Sequence, residues 1–280
     1  MPELPEVEIV RRGLNQFTLH QEITGGDVLL NRTIAHPISV DQFIPHLTGS
    51  AIATWHRRGK YLLAELTPSP QTHWLGVHLR MTGQLLWLHQ DQPLQKHTRL
   101  RLYFQHQQEL RFVDQRTFGK IWYVPPHLPV ETIITGLAKL ALDPFSPLFT
   151  LEYLAHQLQK SRRLIKTALL DQSIVAGLGN IYADEALFKS RILPTTPCAD
   201  LQSQQIESLR TAIIEVLSAS IAAGGTTFSN FLNVTGINGN YGNDAWVYNR
   251  ASQPCRVCGN LIERIKLAGR SSHFCSHCQK

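Results

Sequence analysis

Apolar positions follow two different repeats along this chain, and the change from one repeat to the other divides it. The first part opens with a helical repeat, in which Val7, Val10 and Leu14 share one face and which ends near Gly13 and Asn15. Segments of two-residue alternation come next, at residues 51–66, 74–88, 99–105 and 109–114. Their turn-rich connections predict antiparallel strands, and therefore a sandwich or a barrel.

Two proline-rich stretches, at residues 124–129 and 142–147, separate this β-rich part from the remainder of the chain. Proline interrupts regular hydrogen-bond ladders, so the linker between two domains is predicted here. Beyond it the helical repeat returns, and two apolar faces predict two helices. The first face contains Leu151, Leu154 and Leu158, and the second contains Leu164, Ile165, Ala168 and Leu169.

Two further helices are predicted from capping signals. Asn180 is a favourable N-cap after two glycines, with Asp184 and Glu185 in the early turns of the helix. Asp200 is the predicted cap of a longer helix that carries apolar residues from Leu209 to Ile221 and stops at the two glycines 224–225. Residues 233–244 are rich in Gly and Asn without periodicity, which predicts a long loop.

Length and composition are those of a globular protein. The 280 residues suit two domains and a small module, and 43% hydrophobic with 17% charged residues is ordinary. The sequence has no apolar run of about 18 residues and no secretory signal pattern, so we expect a cytoplasmic, nucleoid-associated protein. The net charge of +6 is modest. Residues 250–280, however, contain six basic residues and a single acid, which favours phosphate binding there.

Four of the five cysteines form a C-x2-C-x16-C-x2-C pattern, made by Cys255, Cys258, Cys275 and Cys278. Two disulfides are the alternative, but a chain without a secretion signal favours a four-thiolate zinc site. Such a site leaves no open coordination position, so the zinc is expected to be structural. The fifth cysteine, Cys198, is interpreted as a plain small residue.

Three motifs, MPELPEVE at the N-terminus, GLGNIYADEALF at 177–188 and the cysteine motif with GRSSHFC, occur in this order. Together they closely resemble the bacterial formamidopyrimidine-DNA glycosylase (MutM) family, over residues 1–279. The resemblance implies an α+β protein: an N-terminal helix and antiparallel β-sandwich, a helix–two-turn–helix domain, and a C-terminal zinc finger. The implied divisions are a catalytic domain at 1–130, a linker at 131–150, the helical domain at 151–232, a lesion-recognition loop at 233–245 and the finger at 246–280.

The resemblance also implies a bifunctional glycosylase and lyase that removes oxidised purines from double-stranded DNA. After removal of Met1, the secondary amine of Pro2 would attack the damaged nucleotide, with Glu3 exchanging protons. Without the family, MPE is an ordinary helix start, with proline and an acid in the first turn. Lys60 matches a lysine near the reacting sugar, although it also suits a solvated strand end, and Arg270 matches an arginine that grips the flanking phosphates.

Further residues are assigned by the resemblance to DNA contacts. The wedge that fills the gap left by an extruded nucleotide matches Met81, Arg116 and Phe118, although strand alternation also allows Met81 in the core. The phosphate contacts match His97, Arg162 and Asn180. The candidates for the base pocket are Glu6, Thr226 and Tyr241.

Two other functions are weighed against this one. An oxidised-pyrimidine glycosylase of the endonuclease VIII type shares the N-terminal proline, but MPELPEVE and the RTF segment favour the purine enzyme. A non-catalytic zinc-dependent lesion-binding protein would not need Pro2 or Glu3, and both are present. We expect a monomer with one structural Zn²⁺ and no organic cofactor.

Overall fold

The computed structural model describes residues 1–37, 39–67, 72–226 and 231–280. Contacts divide the chain into two compact units: Met1–Ala138 with Gly224–Asn240, and Lys139–Ala223 with Tyr241–Lys280. The first division falls inside the predicted linker, and residues 224–240 return to the first unit instead of ending the helical segment. No helix of the described ranges has both the length and the apolar character needed to cross a membrane.

The described part of the first unit contains three α-helices and two sheets. Its helices are α1 (Leu4–Phe17), α2 (Phe43–Leu47) and α3 (Val130–Ile133). Its strands are β1 (Ile23–Val28), β2 (Ile34–His36), β3 (Ala51–Arg58), β4 (Tyr61–Thr67), β5 (His73–His78), β6 (Gly83–His89), β7 (Thr98–Phe104), β8 (Gln108–Asp114) and β9 (Lys120–Val124). One sheet has the order β1-β7-β8-β6 and the other the order β2-β9-β5-β4-β3.

The core of this unit is a cluster of buried apolar side chains contributed by α1 and by both sheets. Strand β7 alternates buried and half-buried residues, as a strand with one face on the core should. Strand β4 is buried at five of its seven positions, so both of its faces are covered along most of its length. The predicted sandwich is confirmed. The prediction that its strands are all antiparallel is wrong for one pair, because β2 and β9 run parallel.

Helix α1 is fixed to β3 by polar contacts as well as by packing. The side chain of Asn15 accepts a hydrogen bond from Trp55 N at 2.8 Å and donates one to Trp55 O at 3.0 Å. The Trp55 indole, 1% exposed, donates to Thr18 Oγ1 at 2.9 Å. Gly13 and Asn15 lie in the last turn and a half of the helix, as predicted. A Cβ at Gly13 would stand 2.4 Å from Val234 Cγ2, so glycine is needed there. These contacts fix the helix that carries the N-terminal motif.

The second unit contains four helices and a hairpin: α4 (Leu151–Gln159), α5 (Ile165–Leu169), α6 (Asn180–Lys189), α7 (Ser203–Ala222), β10 (Glu263–Leu267) and β11 (Arg270–Phe274). All four predicted helices are present, but two of their caps differ. Gly179 is the N-cap of α6, so Asn180 is the first residue of the helix, and its side-chain amide donates to Ser271 O at 3.0 Å. Gln202, with a capping box to Gln205, begins α7, while Asp200 belongs to a preceding 3-10 turn.

Candidate active site and metal centre

The N-terminal motif is buried at the start of α1. Glu3 is the N-cap of this helix, so Pro2 precedes the helix, and the proline in its first turn is Pro5. The side chain of Glu3 accepts from the main chain of Glu6, and Glu3 N donates back to Glu6 Oε2 at 2.8 Å. The ordinary helix start therefore uses Pro5 and Glu6. Pro2 and Glu3 are held in place ahead of it, and both are buried.

Glu6 also fixes a distant segment of the same unit. Its second oxygen, Oε1, accepts from Thr226 N at 2.8 Å, and Glu6 is 1% exposed. Thr226 forms a β-bridge with Asn240, and a Cβ at Gly239 would lie 2.4 Å from Gly225 O. A hydrogen bond therefore joins the two base-pocket candidates Glu6 and Thr226, and Glu6 belongs to the same motif as Pro2. Residues 227–230 lie outside the described ranges.

Lys60 lies in the turn between β3 and β4 and is only 8% exposed, which does not fit a solvated strand end. His78, at the end of β5, is affected by the charge of Lys60. Burial, then the charges of Arg80 and Lys60, lower the pKa of His78 to about 3. Its Nδ1 atom accepts the Arg80 main-chain N–H at 3.0 Å, so the imidazole is neutral there.

The three wedge candidates lie in two loops of the first unit. Met81 is half-buried in the turn between β5 and β6, so it is not a core residue of a strand. Arg116 and Phe118 lie in the loop between β8 and β9, where the guanidinium stands 4.9 Å from the centre of the Phe118 ring. Phe118 is 50% exposed, so its ring is accessible from solvent.

The three phosphate-contact candidates are distributed over both units. His97 precedes β7 in the first unit, with Nδ1 3.2 Å from Arg99 Nη2. Arg162 is exposed in the segment before α5. Asn180 is half-buried at the start of α6, where its amide already donates to a carbonyl of β11.

The four cysteines of the predicted metal site converge in the second unit. Their sulfur atoms all lie within 4.8 Å of one another. Cys255 and Cys278 are separated by 3.9 Å, and Cys258 and Cys275 by 3.5 Å. Tetrahedral Zn–S bonds of about 2.3 Å place sulfurs about 3.8 Å apart, so the cluster suits zinc. The fifth cysteine, Cys198, is buried elsewhere, and burial raises its pKa to about 11.

Arg270 is exposed where the β10–β11 hairpin turns. The two turn residues, Ala268 and Gly269, have φ of 45° and 79°, as a two-residue hairpin turn requires. At the other end of β11, Asp184 Oδ2 lies 3.0 Å from both His273 N and His273 Nδ1. His273 is therefore engaged by a carboxylate, which agrees with a metal site made of four thiolates.

Two acids in the GLGNIYADEALF motif are buried anchors, whereas the sequence pattern placed them only near a helix dipole. Asp184 pairs with Lys166 Nζ at 2.6 Å, and both residues are 1% exposed. Glu185 accepts the main-chain N–H groups of residues 246–248 at 2.8–2.9 Å. The signal that would have indicated these roles is two adjacent acids on a helix with apolar residues on every side.

Tyr241 is 4% exposed in the second unit, and its hydroxyl donates to Glu185 Oε2 at 3.5 Å. Burial and this carboxylate raise the pKa of the phenol. Its ring also packs on Tyr182, 5.7 Å between centres. The structure therefore places the third pocket candidate, Tyr241, in the core of the second unit, whereas Glu6 and Thr226 belong to the first.

Comparisons with known proteins find the same family along the whole chain. Three family models match: the formamidopyrimidine-DNA glycosylase N-terminal domain at residues 1–121, its H2TH domain at 140–231, and the zinc finger found in FPG and IleRS at 252–280. The formamidopyrimidine-DNA glycosylase of Nostoc punctiforme is 76% identical over 279 residues, covering 100% of this chain and 96% of that protein. That of Trichormus variabilis is 71% identical over 279 residues, covering 100% of both.

Solved structures agree with the family models. Wild-type Lactococcus lactis Fpg (MutM), in complex with DNA containing N7-benzyl-Fapy-dG, matches with a TM-score of 0.90 and 35% identity, covering 100% of both chains. A structure of MutM with DNA containing carbocyclic 8-oxo-G matches with a TM-score of 0.89 and 34% identity, again over 100% of both chains.

Proposed function

Because this chain belongs to the formamidopyrimidine-DNA glycosylase family, we propose that it couples base removal to strand cleavage through the amine of Pro2. The chain is a DNA glycosylase for oxidised purines, as its relatives and the damaged-DNA complexes of its structural neighbours support. The lyase step and the individual roles of the residues are the proposed part.

The observation that supports this mechanism best is the pair of buried acids next to residue 2. Glu3 and Glu6 are each 1% exposed and are locked together by reciprocal hydrogen bonds. An amine nucleophile needs a fixed position and a nearby group that can accept and donate protons. Glu3 supplies that group, while Glu6 holds Glu3 and the segment at Thr226 in a single arrangement.

The proposed reaction begins once Met1 has been removed. The neutral ring nitrogen of Pro2 forms a bond to C1′, and the bond from C1′ to the base breaks, with a proton delivered to the leaving purine. Opening of the sugar ring then gives an iminium ion between the proline nitrogen and C1′. Loss of the C2′ proton expels the 3′ phosphate, and a second elimination expels the 5′ phosphate. Water then hydrolyses the iminium, which releases the sugar fragment as an aldehyde and restores the amine of Pro2. An α-amine titrates near about 8, so a useful fraction is nucleophilic at neutral pH.

The metal centre has a separate role in this proposal. The four thiolates would hold one structural zinc ion, which leaves no coordination position for substrate. The ion would order the segment that carries the β10–β11 hairpin and its exposed Arg270, which binds phosphate. We propose that the protein acts on double-stranded DNA as a monomer.

The substrate class is tested with two duplexes, one containing 8-oxoguanine opposite cytosine and the other thymine glycol opposite adenine. We expect faster excision from the first, and a preference for thymine glycol would instead indicate an enzyme of the endonuclease VIII type. The nucleophile is tested by adding borohydride during the reaction. Reduction of the iminium should give a stable adduct whose peptide map places DNA on Pro2.

A matched variant, Glu3→Gln, separates the two steps. It should lose excision of 8-oxoguanine, because the amide cannot exchange protons, while retaining measurable cleavage of a duplex with a preformed abasic site. Mass spectrometry of the N-terminus must first show that Met1 is absent. If correctly processed protein binds the lesion but gives no adduct, a non-catalytic lesion-binding protein becomes the better interpretation.

A further inference from the structure

The two loops that carry the proposed wedge have conformations that need support. Arg80, next to Met81, has φ of 54°, and Thr117, between Arg116 and Phe118, has φ of 59°. Residues other than glycine rarely adopt the left-handed region, and they remain there only where surrounding contacts fix them. Arg80 N donates to His78 Nδ1 and Thr117 Oγ1 accepts from Arg32, and one polar contact from each loop reaches the same buried carboxylate.

Asp114, the last residue of β8, is 1% exposed and contacts both loops. Its Oδ1 atom accepts the hydroxyl of Thr82, which follows Met81. Its Oδ2 atom accepts the main-chain N–H of Gly119 at 2.7 Å, at the end of the second loop. A Cβ at Gly119 would lie 2.4 Å from Phe112 Cζ and 3.0 Å from that same oxygen, so glycine is needed at this position.

The hydroxyl of Thr82 completes a bridge between the loops. It donates to Asp114 and accepts the main-chain N–H of Arg116 at 3.0 Å. A hydroxyl can do both at once, because it has one donor and two acceptor positions. The first loop is thereby bonded to the second through a single side chain.

The main chain of Asp114 extends the same network to a predicted phosphate contact. Its N–H donates to His97 O at 2.9 Å, and its carbonyl accepts Arg99 Nε at 2.8 Å. The guanidinium of Arg99 lies 3.2 Å from His97 Nδ1. The residue therefore joins both wedge loops to the backbone of His97.

We propose that Asp114 is a positioning residue that holds Met81, Arg116 and Phe118 in one fixed arrangement through Thr82, so that they enter the DNA stack together. This inference rests on the proposed function of those three side chains. Asp114 does not touch the reacting atoms. Its contribution is to remove the freedom of two loops before the nucleotide is extruded, since loops ordered in advance lose less entropy on binding.

The most direct test compares Thr82→Val with Thr82→Ser in the full-length, correctly processed protein. Valine has nearly the shape of threonine but cannot donate to Asp114 or accept from Arg116, whereas serine retains the hydroxyl. Single-turnover excision of 8-oxoguanine from a duplex should fall about tenfold with valine, equivalent to about 1.4 kcal/mol in the barrier. Serine should restore it to within about twofold of the wild-type rate, a change of about 0.4 kcal/mol.

A second readout separates positioning from general destabilisation. The fluorescence of 2-aminopurine placed next to the lesion reports unstacking, and its rise should be slowed by valine to the same extent as excision. Cleavage of a preformed abasic site, which has no base to extrude, should change less than about threefold, or about 0.7 kcal/mol. Asp114→Ala should show the same pattern, because it removes the acceptor for Thr82 and the acceptor for Gly119 together.

Three outcomes separate failure of the positioning role from failure of the wedge assignment. If Met81→Ala and Phe118→Ala leave duplex excision unchanged, the wedge assignment itself is wrong. If those variants are slow but Thr82→Val matches the wild type in excision and fluorescence, Asp114 does not position the wedge. A valine variant that loses all activities equally, together with thermal stability, would show a merely structural role and would also overturn the inference.

Discussion

Replacing Glu6 with glutamine is a severe test of the arrangement around the N-terminus, because the change is nearly isosteric. The carboxylate accepts two main-chain N–H groups, from Glu3 and Thr226, each at 2.8 Å. Glutamine has one oxygen and one NH₂ group in the same positions. In either orientation one of the two main-chain donors faces another donor, so that one hydrogen bond is lost.

The size of the effect depends on the burial of the site. Glu6 is 1% exposed, so water cannot replace the missing acceptor. A hydrogen bond to a charged group contributes about 1.5–3 kcal/mol, and a buried unsatisfied donor costs about 1–3 kcal/mol. We therefore expect the free energy of unfolding of the first unit to fall by about 2–4 kcal/mol, against a total of about 5–15 kcal/mol for an ordinary domain.

Urea unfolding followed by tryptophan fluorescence is the appropriate assay. Four of the five tryptophans, Trp55, Trp74, Trp87 and Trp122, lie in the first unit, so the signal reports mainly on that unit. Borohydride trapping on a preformed abasic site is measured in parallel. The trapping rate should fall as well, because the lost hydrogen bond frees either the main chain of Glu3 or the segment at Thr226 that Glu6 also holds.

The matched control is Glu22→Gln, the same chemical change at an exposed position of the same unit. It should shift stability by no more than about 0.5 kcal/mol. If Glu6→Gln is as stable as this control, Glu6 does not hold the two segments together. If it is destabilised but traps DNA at the wild-type rate, the arrangement serves stability and not the nucleophile.

Three other substitutions test contacts elsewhere in the chain. Lys166→Met removes the cation paired with Asp184 and leaves that buried carboxylate only its contacts to His273, so it should destabilise the second unit by about 3–5 kcal/mol. A loss below about 1 kcal/mol in thermal or urea unfolding would contradict the buried pair. Cys258→Ser should reduce metal content and weaken binding to lesion DNA, measured by metal analysis and fluorescence anisotropy, whereas equal affinity without metal would refute the role given to zinc. His78→Asn should keep the acceptor for Arg80 N while removing the titration. The pKa of His78 in the folded protein, about 3, lies below the ordinary value of 6.5. The wild type should therefore lose stability relative to the variant as the pH falls below 6.5, by about 1.4 kcal/mol per pH unit. Parallel stability curves would show that His78 is not buried in its neutral form.

The metal site and most elements could be predicted from local patterns. The spacing of the four cysteines indicates by itself that they bind one metal ion. The helical repeat from Leu151 to Leu158 depends only on neighbours along the chain. The strand pair β2 and β9 was missed because β2 has only three residues and its partner is about 85 positions away, 34–36 against 120–124. Such a pair leaves almost no local periodicity.

Two features of the chain depend on contacts that the local sequence does not reveal. Asn180 has the chemistry of an N-cap, but it is the first residue of α6, and its amide donates to a carbonyl of β11, a contact between residues 91 positions apart. Asp114 gave no signal, since its importance depends on Thr82 and Gly119 converging in three dimensions. Tertiary contacts decide both cases. The cap of α7 is different, because Gln202 pairs with Gln205 only three residues away and the prediction of Asp200 was a local error.

The three hydrogen bonds that Glu185 accepts from residues 246–248 have a consequence for loss and recovery of the metal. They tie the chain to α6 just before the first cysteine, and they do not involve a thiolate. Removing zinc with a chelator should therefore disorder the finger while residues 246–248 stay bound to Glu185 of α6. When zinc binds again, only the segment between residue 248 and Cys278 has to be ordered. The entropic cost of closing a loop grows slowly with its length, so metal exchange should be reversible without unfolding the helices.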